Sequence, residues 1–226
     1  MHNIREFMRR TIIVMAKIPV AGSVKTRLRG MLSADECATL ADAFLRDTIA
    51  KCNGLSDRLI LAYSPADEIL GASMYMSGKG EFIPQTDGGL GERMRAAFEV
   101  AFADPDAAVV MIGTDSPQLP PARIAECFDA LSAGANVVLG PAVDGGIYLI
   151  GLRKFAAELF ENVNWSTATV FDEICANAVE SGFSAPFLLE RDFDVDTPQD
   201  FEELKNADLK TVAPATFDVV SKLTSR

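Results

Sequence analysis

Thr11-Ile12-Ile13-Val14-Met15-Ala16 runs without a break into Lys17-Ile18-Pro19-Val20-Ala21-Gly22-Ser23-Val24-Lys25-Thr26-Arg27-Leu28-Arg29. The first six residues are apolar or β-branched and do not alternate with polar ones. That is the pattern of a strand covered on both faces, as in a mostly parallel sheet. The residues that follow are a loop of opposite character. From Thr11 to Ala34 the chain has four bases and no acid, although the protein as a whole carries 32 acids against 21 bases, a net charge of −11. A purely basic loop in an acidic protein is either a solvated face or an anion site. Lys17, Lys25 and Arg27 are the candidate anion ligands, and Gly22 would let main chain approach a phosphate closely. The loop is not G-x-x-x-x-G-K-[ST], nor is it G-x-G-x-x-G.

Similar apolar runs recur at residues 58–63, 81–84, 107–112, 136–140, 147–151 and 186–189. Helical patterns lie between them. Ser33 and Glu36 form a capping box ahead of a stripe of Cys37, Leu40, Ala41, Phe44, Leu45 and Ile49. Met94, Ala97, Phe98, Ala101 and Phe102 make a second stripe, and Ile124, Cys127, Phe128 and Leu131 a third. Residues 167–181 read as a fourth helix with Val170, Ile174 and Val179 inward. Thr197 and Pro198 read as the cap and first residue of a short last helix. Alternating strands and helices predict an α/β fold: one domain over residues 1–226, a mostly parallel sheet with helices on both faces, and ligands at the carboxyl ends of the strands. Residues 207–226 are expected as a peripheral helix or tail.

Composition excludes several chemistries. The only histidine is His2, so triads and metal sites built on imidazole are not expected unless the N-terminus folds back. An acidic chain with a pI near 4.6 is ill suited to nucleic acid or an anionic membrane. No apolar run is long enough to span a bilayer, and Lys17 and Pro19 end the first one too early for a secretory leader. The four cysteines, Cys37, Cys52, Cys127 and Cys175, form no C-x-x-C pair and read as buried residues of a cytoplasmic protein.

Four polar motifs fall just after strands. In Gly113-Thr114-Asp115-Ser116-Pro117, Asp115 is a turn residue or a carboxylate for a hard cation; magnesium or manganese is favoured because no His or Cys lies nearby. Asp144-Gly145-Gly146 is a hairpin turn or a place where substrate lies against bare backbone, with Tyr148 adding a hydroxyl. Asp192, Asp194 and Asp196 would share one face of an extended segment, where a cation would relieve their repulsion. The glycine-rich stretch 85–94, with Gln85, Gly91 and Arg93, suits a nucleotide's base or ribose. Trp165 and Ser166 stand beside a plausible helix cap.

In this order, K-x-P-x-x-G-x-V-K-T-R-L (Lys17 to Leu28), Q-x-x-G-G-L-G-E-R-M, G-T-D-S-P-x-L-P, D-G-G-x-Y-L-x-G-L, W-S-T and D-V-D-T-P-x-D resemble the bacterial nucleotide-diphospho-sugar transferase family. That family is glycosyltransferase-A-like and was first listed as a domain of unknown function. The motifs are also similar to small nucleotidyltransferases such as phospholactate and molybdenum cofactor guanylyltransferases. The resemblance spans Lys17 to about Asp200. It implies a three-layer α/β/α sandwich, with Lys25 and Arg27 on the donor phosphates, Asp115 as first metal ligand, and Asp144 and Gly145 toward the acceptor. Tyr148, Gly146, Trp165 and Ser166 complete the acceptor side. Pro117 breaks the D-x-D that such glycosyltransferases carry, so the second metal carboxylate is assigned to Asp196, with Asp194 in reserve. Glycosyl transfer from a nucleotide sugar, with Asp144 as base, is the expected activity. Nucleotidyl transfer from a triphosphate to a small phosphorylated molecule, and nucleotide binding without catalysis, remain open.

Overall fold

The computed structural model describes residues 8–76 and 80–225. His2 lies outside them. The first run becomes strand β1 (Arg9–Lys17), followed by helix α1 (Ala34–Asn53), β2 (Arg58–Ser64), short α2 (Ile69–Ser73), β3 (Glu81–Pro84) and α3 (Leu90–Ala101). The second half runs β4 (Ala107–Ile112), α4 (Pro121–Ser132), β5 (Val137–Pro141), β6 (Ile147–Leu152), α5 (Val170–Glu180), β7 (Phe187–Leu188), α6 (Pro198–Leu204), α7 (Leu209–Val212) and α8 (Pro214–Thr224). The strands form one sheet in the order β3-β2-β1-β4-β6-β5-β7. All neighbours are parallel except β6, which runs antiparallel to both β4 and β5.

The period-two geometry of strands builds the three layers. Ile12, Val14 and Ala16, with Val110 and Ile112, face α1 and α4. Ile13, Val109 and Met111 face the other way, onto α3 and α5. A third cluster joins Leu28 and Leu32 of the basic loop and Leu40 and Phe44 of α1 to Phe201 of α6 and Val220 of α8. The Ser33–Glu36 capping box forms as expected, and Thr197 caps α6 together with Asp200. Cys37, Cys52 and Cys127 are buried, Cys175 is partly so, and all four are free.

Some expectations change. The fourth helix starts at Val170, because Thr167 and Thr169 are engaged in a side-chain network with Glu173 before the first turn. Its inward residue near the end is Ala178; Val179 is exposed. Residues 207–225 pack into the fold: Leu209, Ala213, Thr216 and Val220 are buried. The buried Asp47 carboxylate of α1 accepts the main-chain N–H groups of Ala215 and Thr216 at the start of α8. Among the described residues no helix is long and apolar enough to cross a membrane.

The sheet order fixes the site. The chain leaves β1 toward β2 and returns to pair β4 on its other side. The crevice between the carboxyl ends of β1 and β4 is where such sheets bind ligands. Because β6 is antiparallel, with Leu149 opposite Ile112, the hairpin loop before it opens onto that same edge.

Candidate active site

A cleft of about 600 Å³ opens at this edge, a size suited to a small ligand. Its floor is apolar, made by Met15, Met94, Met111, Ile147 and Ile150. Its rim is polar. Lys17, Lys25 and Arg27 come from the basic loop, Asp115 from the end of β4, Asp144 and Gly146 from the hairpin, and Asp194 and Asp196 from the approach to α6. Trp165, Ser166 and Tyr148 also line it. Four segments distant in sequence therefore meet in one place.

Main-chain hydrogen bonds lock three of them together, and side chains of the basic loop join the fourth. Val195 N–H donates to the Asp115 carbonyl at 2.8 Å, and Val143 N–H to the Asp192 carbonyl at 2.9 Å. Segment 192–196 thus threads between the hairpin and the loop after β4. Its three acids do not share a face. Asp192 accepts from the Gln118 amide at 2.8 Å, whereas Asp194 and Asp196 turn to the cleft. The Asp194 carboxylate accepts from the Ser116 hydroxyl at 2.5 Å. Burial pushes its pKa up to about 7, against the lowering effect of that hydrogen bond, and the nearby Asp115 and Asp144 raise it further.

Lys25 sits at the centre. Its side chain is 6% exposed, and Nζ donates to Asp115 Oδ1 at 2.5 Å, the Val195 carbonyl at 2.7 Å and Asp196 Oδ1 at 3.2 Å. Burial would lower its pKa, but the two carboxylates outweigh burial and hold it above its ordinary value. Arg27 Nη1 reaches Asp196 Oδ2 at 3.4 Å and stays exposed. Lys17 donates to the Ser23 carbonyl at 2.9 Å.

The hairpin is held by close approach. Gly145 has φ +90°, and a Cβ there would collide with the Ala168 main chain, so glycine is required on both counts. Asp144 Oδ1 accepts from Gly146 N–H at 2.9 Å, an Asx-type turn that leaves its second oxygen without a partner inside the loop. The Tyr148 hydroxyl donates to the Glu190 carbonyl at 2.7 Å, and burial pushes its pKa up, so only its ring serves the wall.

Five expected residues do not line the cleft: Gly22, Gln85, Gly91, Arg93 and Gly145. Gln85 spends both amide hydrogens on the Ala16 and Ala62 carbonyls, holding the ends of β1 and β2. Arg93 Nε donates to the Gly88 carbonyl. Gly91 lies under the Trp165 indole, where a Cβ would clash. Sequence reading quotes Ser116 and Thr167 inside their motifs without giving either a role at the site, and passes over Lys51. Lys51 donates to the Pro117 and Leu119 carbonyls and so ties α1 to the loop after β4. Burial pushes its pKa down to about 8. A lysine among the apolar residues of a helix was its one sequence signal.

The donor set suits a hard divalent cation: two carboxylates and a carbonyl oxygen converge on one point, now taken by the Lys25 ammonium. Only two acidic side chains converge there; among the described residues no three His, Cys, Asp or Glu side chains form a metal-holding group. Phosphate oxygens and water would have to complete the coordination.

A family profile described as "Uncharacterized protein conserved in bacteria (DUF2064)" matches residues 46–167, more than half of the chain. The chain belongs to the DUF2064 family. The matched stretch holds Asp115, the Asp144–Gly146 turn and Trp165; the basic loop and Asp196 lie outside it. A crystal structure of a candidate nucleotide-diphospho-sugar transferase from Desulfovibrio desulfuricans G20 superposes with a TM-score of 0.85. It is 28% identical, with 96% of this chain and 95% of that one covered. Rv0371c of Mycobacterium tuberculosis H37Rv, crystallised in complex with manganese, is 24% identical with a TM-score of 0.50, over 88% of this chain and 99% of that one. The 4-diphosphocytidyl-2C-methyl-D-erythritol synthase of Anaerococcus prevotii DSM 20548 is 10% identical, TM-score 0.59, over 88% and 96%. At those identities the last two share the fold with this DUF2064 chain. No curated protein matches it.

Proposed function

We propose that this protein is a metal-dependent transferase that takes a nucleotide-activated donor, and that its reaction is glycosyl transfer from a nucleotide sugar to a small-molecule acceptor. The convergence of Asp115, Asp196 and the Val195 carbonyl on one cation position, at the switch-point crevice beside a basic loop, carries this reading. The manganese complex of Rv0371c and the nucleotide-sugar description of the Desulfovibrio protein support it.

Asp115 and Asp196 would hold Mg2+ or Mn2+, with Asp194 behind them. The ion would neutralise charge on the donor's phosphates. Arg27 and Lys17, at the rim, would grip phosphate oxygens and stabilise the charge that grows on the departing nucleoside diphosphate. Asp144 would take the acceptor hydroxyl's proton on its free oxygen. Trp165, Ser166 and Gly146 would position the acceptor. Asp144 on that side disfavours an anionic acceptor, which favours a sugar-accepting hydroxyl over the phosphate of a nucleotidyl acceptor. Nucleotidyl transfer is the second reading, because Pro117 removes the D-x-D arrangement and the fold is shared with a diphosphocytidyl synthase. We take residues 1–226 as one catalytic unit, and the four free cysteines support a reducing, cytoplasmic setting.

Thermal-shift screening of nucleotide sugars and triphosphates with Mg2+ or Mn2+ tests the reading. A ligand at about 100 times its Kd stabilises by roughly 2.7 kcal/mol, a rise of about 5–10 °C for a chain of this length. No shift with any nucleotide would refute it. With the active donor and an acceptor extract, release of nucleoside diphosphate supports glycosyl transfer, and release of pyrophosphate overturns it in favour of the second reading.

A further inference from the structure

The basic loop places Lys25 where an anion was expected, yet its ammonium is wholly spent on oxygens of the protein. An ammonium has three hydrogens, and each has an acceptor here: Asp115 Oδ1, the Val195 carbonyl and Asp196 Oδ1. It has nothing left for a phosphate in this conformation. The same three oxygens are the ones that suit a divalent ion, and an ammonium and a metal ion cannot share one position. The backbone adds a second observation. Lys25 has φ +47° and ψ +39°, the left-handed region that a residue with a Cβ seldom adopts. It stands immediately before the tight turn Thr26–Leu28, whose Leu28 is anchored in the third core cluster. Arg27 stays exposed at the rim, where an arriving phosphate would meet it first.

Resting on the reading that Asp115 and Asp196 hold a divalent ion, we propose that the Lys25 ammonium is a built-in counter-ion. It occupies the ion's place in the free protein, and the donor's phosphates draw it out as the ion enters. The two carboxylates are then compensated at every stage, first by lysine and then by metal. Lys25 exchanges carboxylate partners for phosphate, and its left-handed backbone relaxes as it leaves. The free protein takes up metal poorly, and donor and metal enter together.

Mn2+ binding to the full chain without nucleotide, read from the spectrum of free Mn2+ by electron paramagnetic resonance, tests this. Lys25→Met and Lys25→Gln should each bind Mn2+ roughly tenfold or more tightly than the unmodified protein, because a positive charge has been removed from the metal's position. Asp115→Asn should bind more weakly. Equal affinity in the unmodified protein and both Lys25 variants, with binding still lost in Asp115→Asn, overturns the counter-ion and leaves the metal site standing. Absence of Mn2+ binding in every variant, even with a nucleoside diphosphate added, overturns the metal site and this proposal with it. If both Lys25 variants fail to fold, the unmodified protein decides. Its caged Lys25 ammonium should give a slowly exchanging 1H–15N signal that disappears or shifts when Mg2+ and nucleoside diphosphate are added together. A signal unchanged at saturation overturns the proposal.

Discussion

Replacing Asp194 with asparagine should make the metal-free protein more stable above neutral pH and leave it nearly unchanged at pH 4. Burial, with Asp115 and Asp144 nearby, raises this carboxyl from an ordinary 3.8 to about 7 in the folded state. Between those two values the unfolded chain has released its proton while the folded one keeps it. Each pH unit in that window favours the unfolded chain by about 1.4 kcal/mol. The folded pKa is raised, so Asp194's contribution is fully present below pH 3.8 and is lost as pH climbs to about 7. Over about three pH units the loss is on the order of 4 kcal/mol, and it is constant beyond. Asp194→Asn cannot ionise, has nearly the same shape and keeps an acceptor for the Ser116 hydroxyl. The variant-minus-unmodified difference in unfolding free energy should therefore climb from near zero at pH 4 to about 4 kcal/mol at pH 8, roughly 10 °C in Tm. Urea unfolding of both proteins with a chelator, at four pH values across that range, measures it. A difference that stays within about 1 kcal/mol throughout would show that Asp194 is ionised and hydrated in the fold, and would refute the reasoning.

Three further outcomes are expected. Asp47→Ala removes the acceptor of two main-chain N–H groups at the start of α8 and should cost about 2–3 kcal/mol; a fall in Tm under about 2 °C would count against the latch. Gly145→Ala meets both a left-handed backbone and the Ala168 main chain, so it should lower Tm and abolish donor turnover, and normal behaviour in both would show that the hairpin can shift freely. Asp115→Asn should fold, by circular dichroism, while losing about a hundredfold in turnover; near-normal turnover would reduce Asp115 to a turn residue.

The strands were legible because each is a short apolar run between polar motifs, and 81–84 and 107–112 match to the residue. The antiparallel sense of β6 was not, since an apolar run carries no direction. Only the close spacing of the Asp144–Gly146 turn hinted at a hairpin. At the site, Asp115, Asp144 and Asp196 could be singled out because each stands in a motif next to a strand or helix boundary. The pairing of Lys25 with acids 90 and 171 positions away could not be. A lysine in a basic loop reads as an anion ligand until the fold brings the carboxylates to it. Gln85 misled for a related reason: a side-chain amide satisfies main-chain carbonyls as readily as a base edge, and sequence does not say which lies closer. Val179 and Ala178 were exchanged because a one-residue error in helix phase, about 100°, carries a side chain off the buried stripe.

Leu28, at the back of the basic loop, rests on Val220 and its neighbours, about 190 residues further along the chain. The protein is made from its N-terminus, at about 5–20 residues per second. For roughly ten to forty seconds of synthesis the sheet's first strands, the basic loop and α1 exist before α6 and α8, which complete the cluster on which that loop rests. During that interval Lys25 has neither Val195 nor Asp196 beside it. Both segments that cage its ammonium, at Asp115 and at Val195–Asp196, are made after the loop that carries it, so the cage closes only once synthesis has passed residue 196.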